Sequence, residues 1–193
     1  MNAALSAVGA GTLPDPDLVG FLGPPLHETM ADLIGVEVLG DPRVDAAVEA
    51  YRAHYRAHGA AESAPFDGMP ELVGELAVER TVAVVTSKAQ ALAEPLLTAL
   101  RMRDSFAGVF GPSLGARGEP KTETLARALD ALGLAPADAV LVGDRRYDVA
   151  AARAHGAESI GVTWGIGSRV ELEAAGAGAI VDTPHELRAL LGR

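Results

Sequence analysis

The sequence contains no cysteine, which excludes disulfides, thiolate nucleophiles and cysteine-based zinc sites and fits a reducing, cytoplasmic setting. Aromatic residues make up only 4%, so a core has to be assembled from leucine, valine, isoleucine and alanine. Positive charge is also scarce: 16 Lys and Arg stand against 26 Asp and Glu, for a net charge of −10. That balance excludes a broad basic groove for nucleic acid and adhesion to an anionic membrane. A small anion can still be held locally by a lysine, backbone N–H groups or a metal. No apolar run approaches the ~20 residues of a membrane span. The opening Met1–Gly11 is small and apolar, but no Lys or Arg precedes it to make the positive start of a secretory leader. What is abundant is apolar material, 49% of 193 residues. That suffices for one α/β domain with an inserted or appended helical piece.

The first third reads as helical. Ala3–Val8 resembles the back half of a helix ended by Gly9 and Gly11. Leu18, Phe21 and Leu22 open a second stretch, which Pro24 and Pro25 break or restart. Val44–His58 makes a third, containing the local doublet YRAH-YRAH. From about Phe66 onward, short apolar runs alternate with amphipathic helices. The runs are Thr81–Val85, Phe106–Phe110, Ala139–Val142, Ser159–Thr163 and Ala179–Val181; helical stretches lie around Ala89–Leu100, Thr122–Leu132, Val149–His155 and Val170–Ala175. Alternating β and α predicts a parallel sheet with helices on both faces, and runs such as VAVV and AVLV suit strands buried on both sides. Capping boxes are predicted at Ser168 with Glu171 and at Thr183 with Glu186, the latter with Pro184 at the first helical position.

In an open parallel sheet, ligands bind beyond the carboxyl ends of the strands. After Ala139–Val142 comes Gly143-Asp144-Arg145-Arg146-Tyr147-Asp148. Two carboxylates four residues apart at a helix entry suit Mg²⁺, which takes few protein carboxylates and keeps waters and phosphate oxygens. The alternative is a solvated turn with Asp148 as a helix cap. After Thr81–Val85 comes Thr86-Ser87-Lys88, where a hydroxyl and backbone N–H groups form a phosphate cradle or an ordinary N-cap. Lys121 fronts a helix, where it opposes the macrodipole. A cation there either neutralises a bound phosphate or is a plain surface lysine.

Taken together in chain order, Thr86, Lys121 and the Asp144/Asp148 pair resemble the second, third and fourth motifs of the haloacid dehalogenase superfamily. GFLGPPLHE at 20–28 resembles the helical cap of its phosphoglycolate phosphatases. GDRRYDVAAARAHGAESIGVTWGIGSRVELEAAGA at 143–177 is similar to a branch that includes those enzymes and bacterial 5′-nucleotidases. The resemblance runs over essentially the whole chain. It implies an α/β, Rossmann-like parallel sheet in residues 65–193, a helical cap in 12–64, and in 1–11 a remnant of the helix that follows the first motif. It also implies Mg²⁺-dependent hydrolysis of a small phosphorylated metabolite, phosphoglycolate or a 5′-nucleotide, by a monomer or homodimer. Asp144 and Asp148 would hold the metal, and Thr86, Ser87, Lys121, Arg145 and His27 the phosphate or substrate.

The superfamily's first motif, an aspartate nucleophile with a second aspartate two residues on, has no counterpart here. Asp15 and Asp17 have the spacing, but no apolar strand precedes them and Pro14 and Pro16 would spoil one. Without the nucleophile no aspartyl-phosphate forms. The strand that carries it lies mid-sheet in the family, so its absence would leave a gap of ~10 Å between its former neighbours. The expectation is therefore a truncated record of a longer protein. Three rivals stay open: a non-catalytic protein of the same fold that binds phosphate or a partner, a phosphoryl-acceptor signalling domain, and a metal-free dehalogenase. Of the remaining residues, His54 and His58 share a helix face without a third metal ligand. Arg146 flanks the acids, His155 and His185 read as ordinary helix residues, and Trp164-Gly165-Ile166-Gly167 falls short of a dinucleotide fingerprint.

Overall fold

The computed structural model of the chain describes residues 1–37 and 40–192. The helical first third is built on α1 (Asn2–Ala7), α2 (Asp15–Leu18), α3 (Leu26–Ile34) and α4 (Pro42–His58). Their local signals agree with their ends. Asp41 caps α4 by accepting the Arg43 N–H at 2.8 Å, Pro42 takes the first helical position, and Arg56 and His58 sit in the last turn against the negative end of the dipole. Met30, Val44 and Val48 interlock with Ala4 and Ala47 in a core belonging to these helices alone. The opening segment thus joins the cap core: α1 packs on α4.

The second part runs α5 (Met69–Glu79), β1 (Ala83–Val85), α6 (Gln90–Ala99), β2 (Gly108–Phe110), α7 (Lys121–Leu132), β3 (Val140–Gly143), α8 (Arg146–His155), β4 (Glu158–Val162), α9 (Arg169–Ala175), β5 (Ala179–Val181) and α10 (Pro184–Leu191). All strand pairings are parallel, as alternation predicts. Ile160 and Val162 pack with Leu72, Leu76 and Leu187 of α5 and α10, while a Cβ at Gly161, between them, would meet Leu172 of α9. Helices therefore flank both faces. No aromatic ring is among the buried core residues, as the composition requires.

The described strands form two sheets, β1-β2 and β3-β4-β5, which divide between β1 and β3, where the sequence reading expects a gap. Leu125 and Leu129 of α7 cluster with Val85 of β1 and Leu141 of β3 and so tie the two together. Two details depart from the sequence reading. Not every apolar strand is covered on both sides: Val140 and Val142 on β3 are 40% and 36% exposed. The two late helix starts are also half-boxes. Ser168 and Thr183 each accept the N–H three residues on. The Glu171 carboxylate instead turns to Arg145 and Arg146, and that of Glu186 to the Asp182 N–H, because stronger or better-placed donors compete for them.

Candidate functional site

The carboxyl ends of β1 and β3 open into one cavity of about 320 Å³, roofed by the helical cap. This size lies at the lower end of the ~300–1,000 Å³ usual for small-molecule sites. From β1, the Thr86 hydroxyl accepts the Lys88 N–H at 3.1 Å, which leaves the hydroxyl proton free to point at a ligand. Thr86 is not a helix cap, because α6 starts only at Gln90, after Ala89. Ser87 and Lys88 line the same cavity, and the Lys88 ammonium lies 3.7 Å from the centroid of the Tyr55 ring on α4. That contact joins core to cap.

Lys121 is the first residue of α7, and its Nζ lies 2.5 Å from Asp148 Oδ1. The carboxylate removes the penalty of a cation at a helix N-terminus. Asp148 is also the third residue of α8, where its Oδ2 accepts the Arg145 N–H at 3.1 Å. Capping and a place in the cavity wall are therefore not alternatives for Asp148. Asp144 is fixed from the opposite side, its Oδ2 accepting the Ile166 N–H at 2.7 Å. Glycine makes these approaches possible. A Cβ at Gly143 would overlap the Asp148 side chain, and one at Gly165 the Asp144 carboxylate.

Among the described residues no three His, Cys, Asp or Glu side chains converge as a metal cluster. Asp144 and Asp148 are nevertheless both at the cavity wall, and Asp144 Oδ1 has no protein partner among the described residues. A hard oxygen donor left open on Asp144, beside the Asp148 carboxylate, fits Mg²⁺, which takes few protein ligands and keeps several waters.

The other expected residues divide. His27 lies in the cavity wall and is 5% exposed. Burial and then the charge of Arg52 push its pKa down, against the pull of Asp45 at 3.7 Å. Arg145 also reaches the cavity. Its Nε bonds Glu171 Oε1 at 2.9 Å and its Nη1 donates to the Leu22 carbonyl of the cap. These contacts make it a bracket between core and cap. Burial pushes Glu171 up, but the Arg146 N–H, the Arg145 guanidinium and both positive charges outweigh it and hold this carboxyl below its ordinary value. Asp15 and Asp17 sit exposed on α2 and outside the cavity wall, in agreement with their rejection as a first motif. His54 and His58 stack on each other, with His58 Nδ1 3.0 Å from the His54 carbonyl, on the exposed face of α4.

Comparison with known proteins decides the family. The profile described as haloacid dehalogenase-like hydrolase matches residues 1–162, most of the chain. The chain belongs to the haloacid dehalogenase-like hydrolases. Among similar family members, the tyrosine-protein kinase PtkA of Mycobacterium tuberculosis is 37% identical over 98% of this chain and 64% of its own length. The chain thus spans just under two thirds of that relative. The 5′-nucleotidase of Pseudomonas aeruginosa is 33% identical over 89% of this chain and 76% of its own. The plasmid phosphoglycolate phosphatase of Cupriavidus necator is 33% identical over 98% and 83%. The crystal structure of a predicted phosphatase from Clostridium acetobutylicum superposes with a TM-score of 0.91 at 29% identity, covering 98% of this chain and 87% of that one.

Several site residues of this haloacid dehalogenase-like hydrolase escaped sequence reasoning. The Gly165–Gly167 loop, dismissed as an incomplete dinucleotide motif, holds Asp144. Glu171 anchors Arg145. Arg52 and Tyr51, inside the YRAH doublet, reach the cavity from the cap. Their signal was faint, since an arginine on a helix reads as a solvated residue unless the fold buries it.

Proposed function

We propose that this chain carries the phosphate- and metal-binding apparatus of a Mg²⁺-dependent phosphomonoesterase acting on a small phosphorylated metabolite, phosphoglycolate or a 5′-nucleotide. The observation that carries this reading is the convergence of Thr86, Lys121 and the Asp144/Asp148 pair, from three separate segments, on one cavity closed by a helical cap. The names of two relatives, phosphoglycolate phosphatase and 5′-nucleotidase, support the substrate class.

Thr86 donates its hydroxyl proton to a phosphoryl oxygen, and Lys121 meets a second oxygen while staying paired to Asp148. Asp144 and Asp148 would hold Mg²⁺, which would supply charge neutralisation and orientation of the phosphoryl group. The cap excludes bulk water and chooses the leaving group. The attacking aspartate would be supplied by a first motif on a strand between β1 and β3. Of the carboxylates in the cavity wall, Asp144 and Asp148 are assigned to the metal, and Glu119 bonds Thr124 at 2.7 Å and pairs with Arg127.

The test is hydrolysis by the protein purified from its own cells, with its intact mass measured on the same sample. Mg²⁺-dependent release of phosphate from phosphoglycolate or a nucleoside 5′-monophosphate, abolished by EDTA, is the expected result. Phosphate binding without turnover would replace catalysis by a binding role. Transfer of phosphate from ATP to a tyrosine would replace hydrolysis by the activity named for the Mycobacterium relative.

A further inference from the structure

One buried charge in the cavity wall is unexplained by the phosphoryl site. Arg52 projects from α4, is 5% exposed, and lines the cavity opposite the strand ends. A guanidinium carries five N–H donors and no acceptor. Among the described residues its one hydrogen bond runs from Nη1 to Glu49 Oε1 at 2.7 Å, and its Nε is buried without a partner. Leaving such donors unmade inside a protein costs free energy, so a buried arginine of this kind is normally forked onto a carboxylate or phosphate. The glutamate is a poor substitute. It is 63% exposed, binds only one nitrogen, and lies 3.8 Å from Arg56 as well.

The surroundings suit an anion. His27 lines the same wall, and Tyr51 beside it is pushed up by burial, so its phenol stays a neutral donor. Asp45, 3.7 Å from His27 through Oδ1, is shared with Arg117, which meets its Oδ2 at 2.6 Å. Phe21, Leu22 and Pro24 add apolar lining to the same cavity. Arg52 thus reaches it from the cap, and Thr86 and Lys121 from the core.

We propose that Arg52 is the specificity-determining residue of the cap: it receives a second anionic group, a carboxylate or a second phosphoryl, at the far end of a short phosphomonoester. This rests on the phosphomonoesterase reading and narrows its substrate class. A monoester with a neutral leaving group leaves the Arg52 donors unmade, and a bulky base has to displace the cap.

Calorimetric titration of the chain in the presence of Mg²⁺ tests this with four probes: inorganic phosphate, ethyl phosphate, phosphoglycolate and ethylene glycol bisphosphate. Phosphoglycolate or the bisphosphate, whichever anion Arg52 takes, is expected to bind roughly 10- to 100-fold tighter than ethyl phosphate. In R52Q that ratio collapses toward one, and in R52K it is partly kept, because a point charge replaces the planar fork. Measurable binding of inorganic phosphate by R52Q certifies that the variant has folded. Equal affinity for charged and neutral esters in the unaltered protein, or a ratio that survives R52Q, overturns the proposal. Binding of none of the four probes overturns the phosphoryl-site reading itself, and this inference with it.

Discussion

Lys121 Nζ and Asp148 Oδ1 lie 2.5 Å apart, with side chains only 15% and 7% exposed, 27 residues apart in the chain. The pair links the N-terminus of α7 to the first turn of α8, and so fixes a cation beside the carboxylates at the end of β3. Removing one partner of such a pair strands the other charge. K121M is expected to destabilise the protein by about 3 kcal/mol, while the double variant K121M/D148L recovers much of that loss because no bare carboxylate remains. Denaturant unfolding of the single and double variants measures the difference. A K121M cost no larger than that of breaking an exposed pair would show that the site is wetter than its burial indicates.

Gly165 gives way to Asp144. In G165A the new methyl meets the Asp144 carboxylate, so the carboxylate turns from its place at the Ile166 N–H. Metal affinity is expected to fall roughly 10-fold or more, with the fold retained. The control is G74A in α5, where a Cβ meets nothing within 4 Å. There alanine stabilises the helix by about 0.5–1 kcal/mol and leaves metal binding alone. Titration of Mg²⁺ beside thermal unfolding of both variants separates the two effects.

His27 makes the cap sensitive to acid. Burial and the Arg52 charge lower its pKa from the ordinary 6.5, so the folded protein binds a proton less readily than the unfolded chain. Stability is then full above about pH 6.5 and falls as pH drops from there toward the folded value. Urea unfolding followed between pH ~7.5 and ~5.5 should show this slope, and H27N should flatten it. A slope unchanged in H27N would assign the acid sensitivity to another group.

The Lys88–Tyr55 contact holds the cap to the core. Replacing the ring in Y55L removes a cation–π interaction of about 0.5–1 kcal/mol, a loss that opens the cap without touching the strand ends. Faster amide exchange in α4, with exchange in β4 unchanged, is the expected signature. Uniform acceleration across both would mean that the ring serves general stability instead.

Much of this was legible along the chain. The five strands were placed within about two residues, since apolar runs between amphipathic stretches have little choice once the period is set. Thr86, Lys121 and Asp144 stand out along the chain because each follows a strand or fronts a helix. Asp148 caps α8 and pairs with Lys121 at once, since one carboxylate has two oxygens. Nothing in the sequence around Arg145 reveals that Glu171 and the Leu22 carbonyl reach it.

By itself, then, the sequence determined the alternation of strand and helix, the parallel pairing, the all-aliphatic core and the order of the candidate site residues. These follow from periodicity, composition and local chemistry, which act over a few residues. Only the tertiary structure decided that Arg52 is buried with its Nε unpartnered, that Glu171 and the Leu22 carbonyl bracket Arg145, and that α7 bridges the two sheets. Those outcomes depend on which side chains from distant segments arrive at the same place, and burial changes the energy of a charge only once they have met.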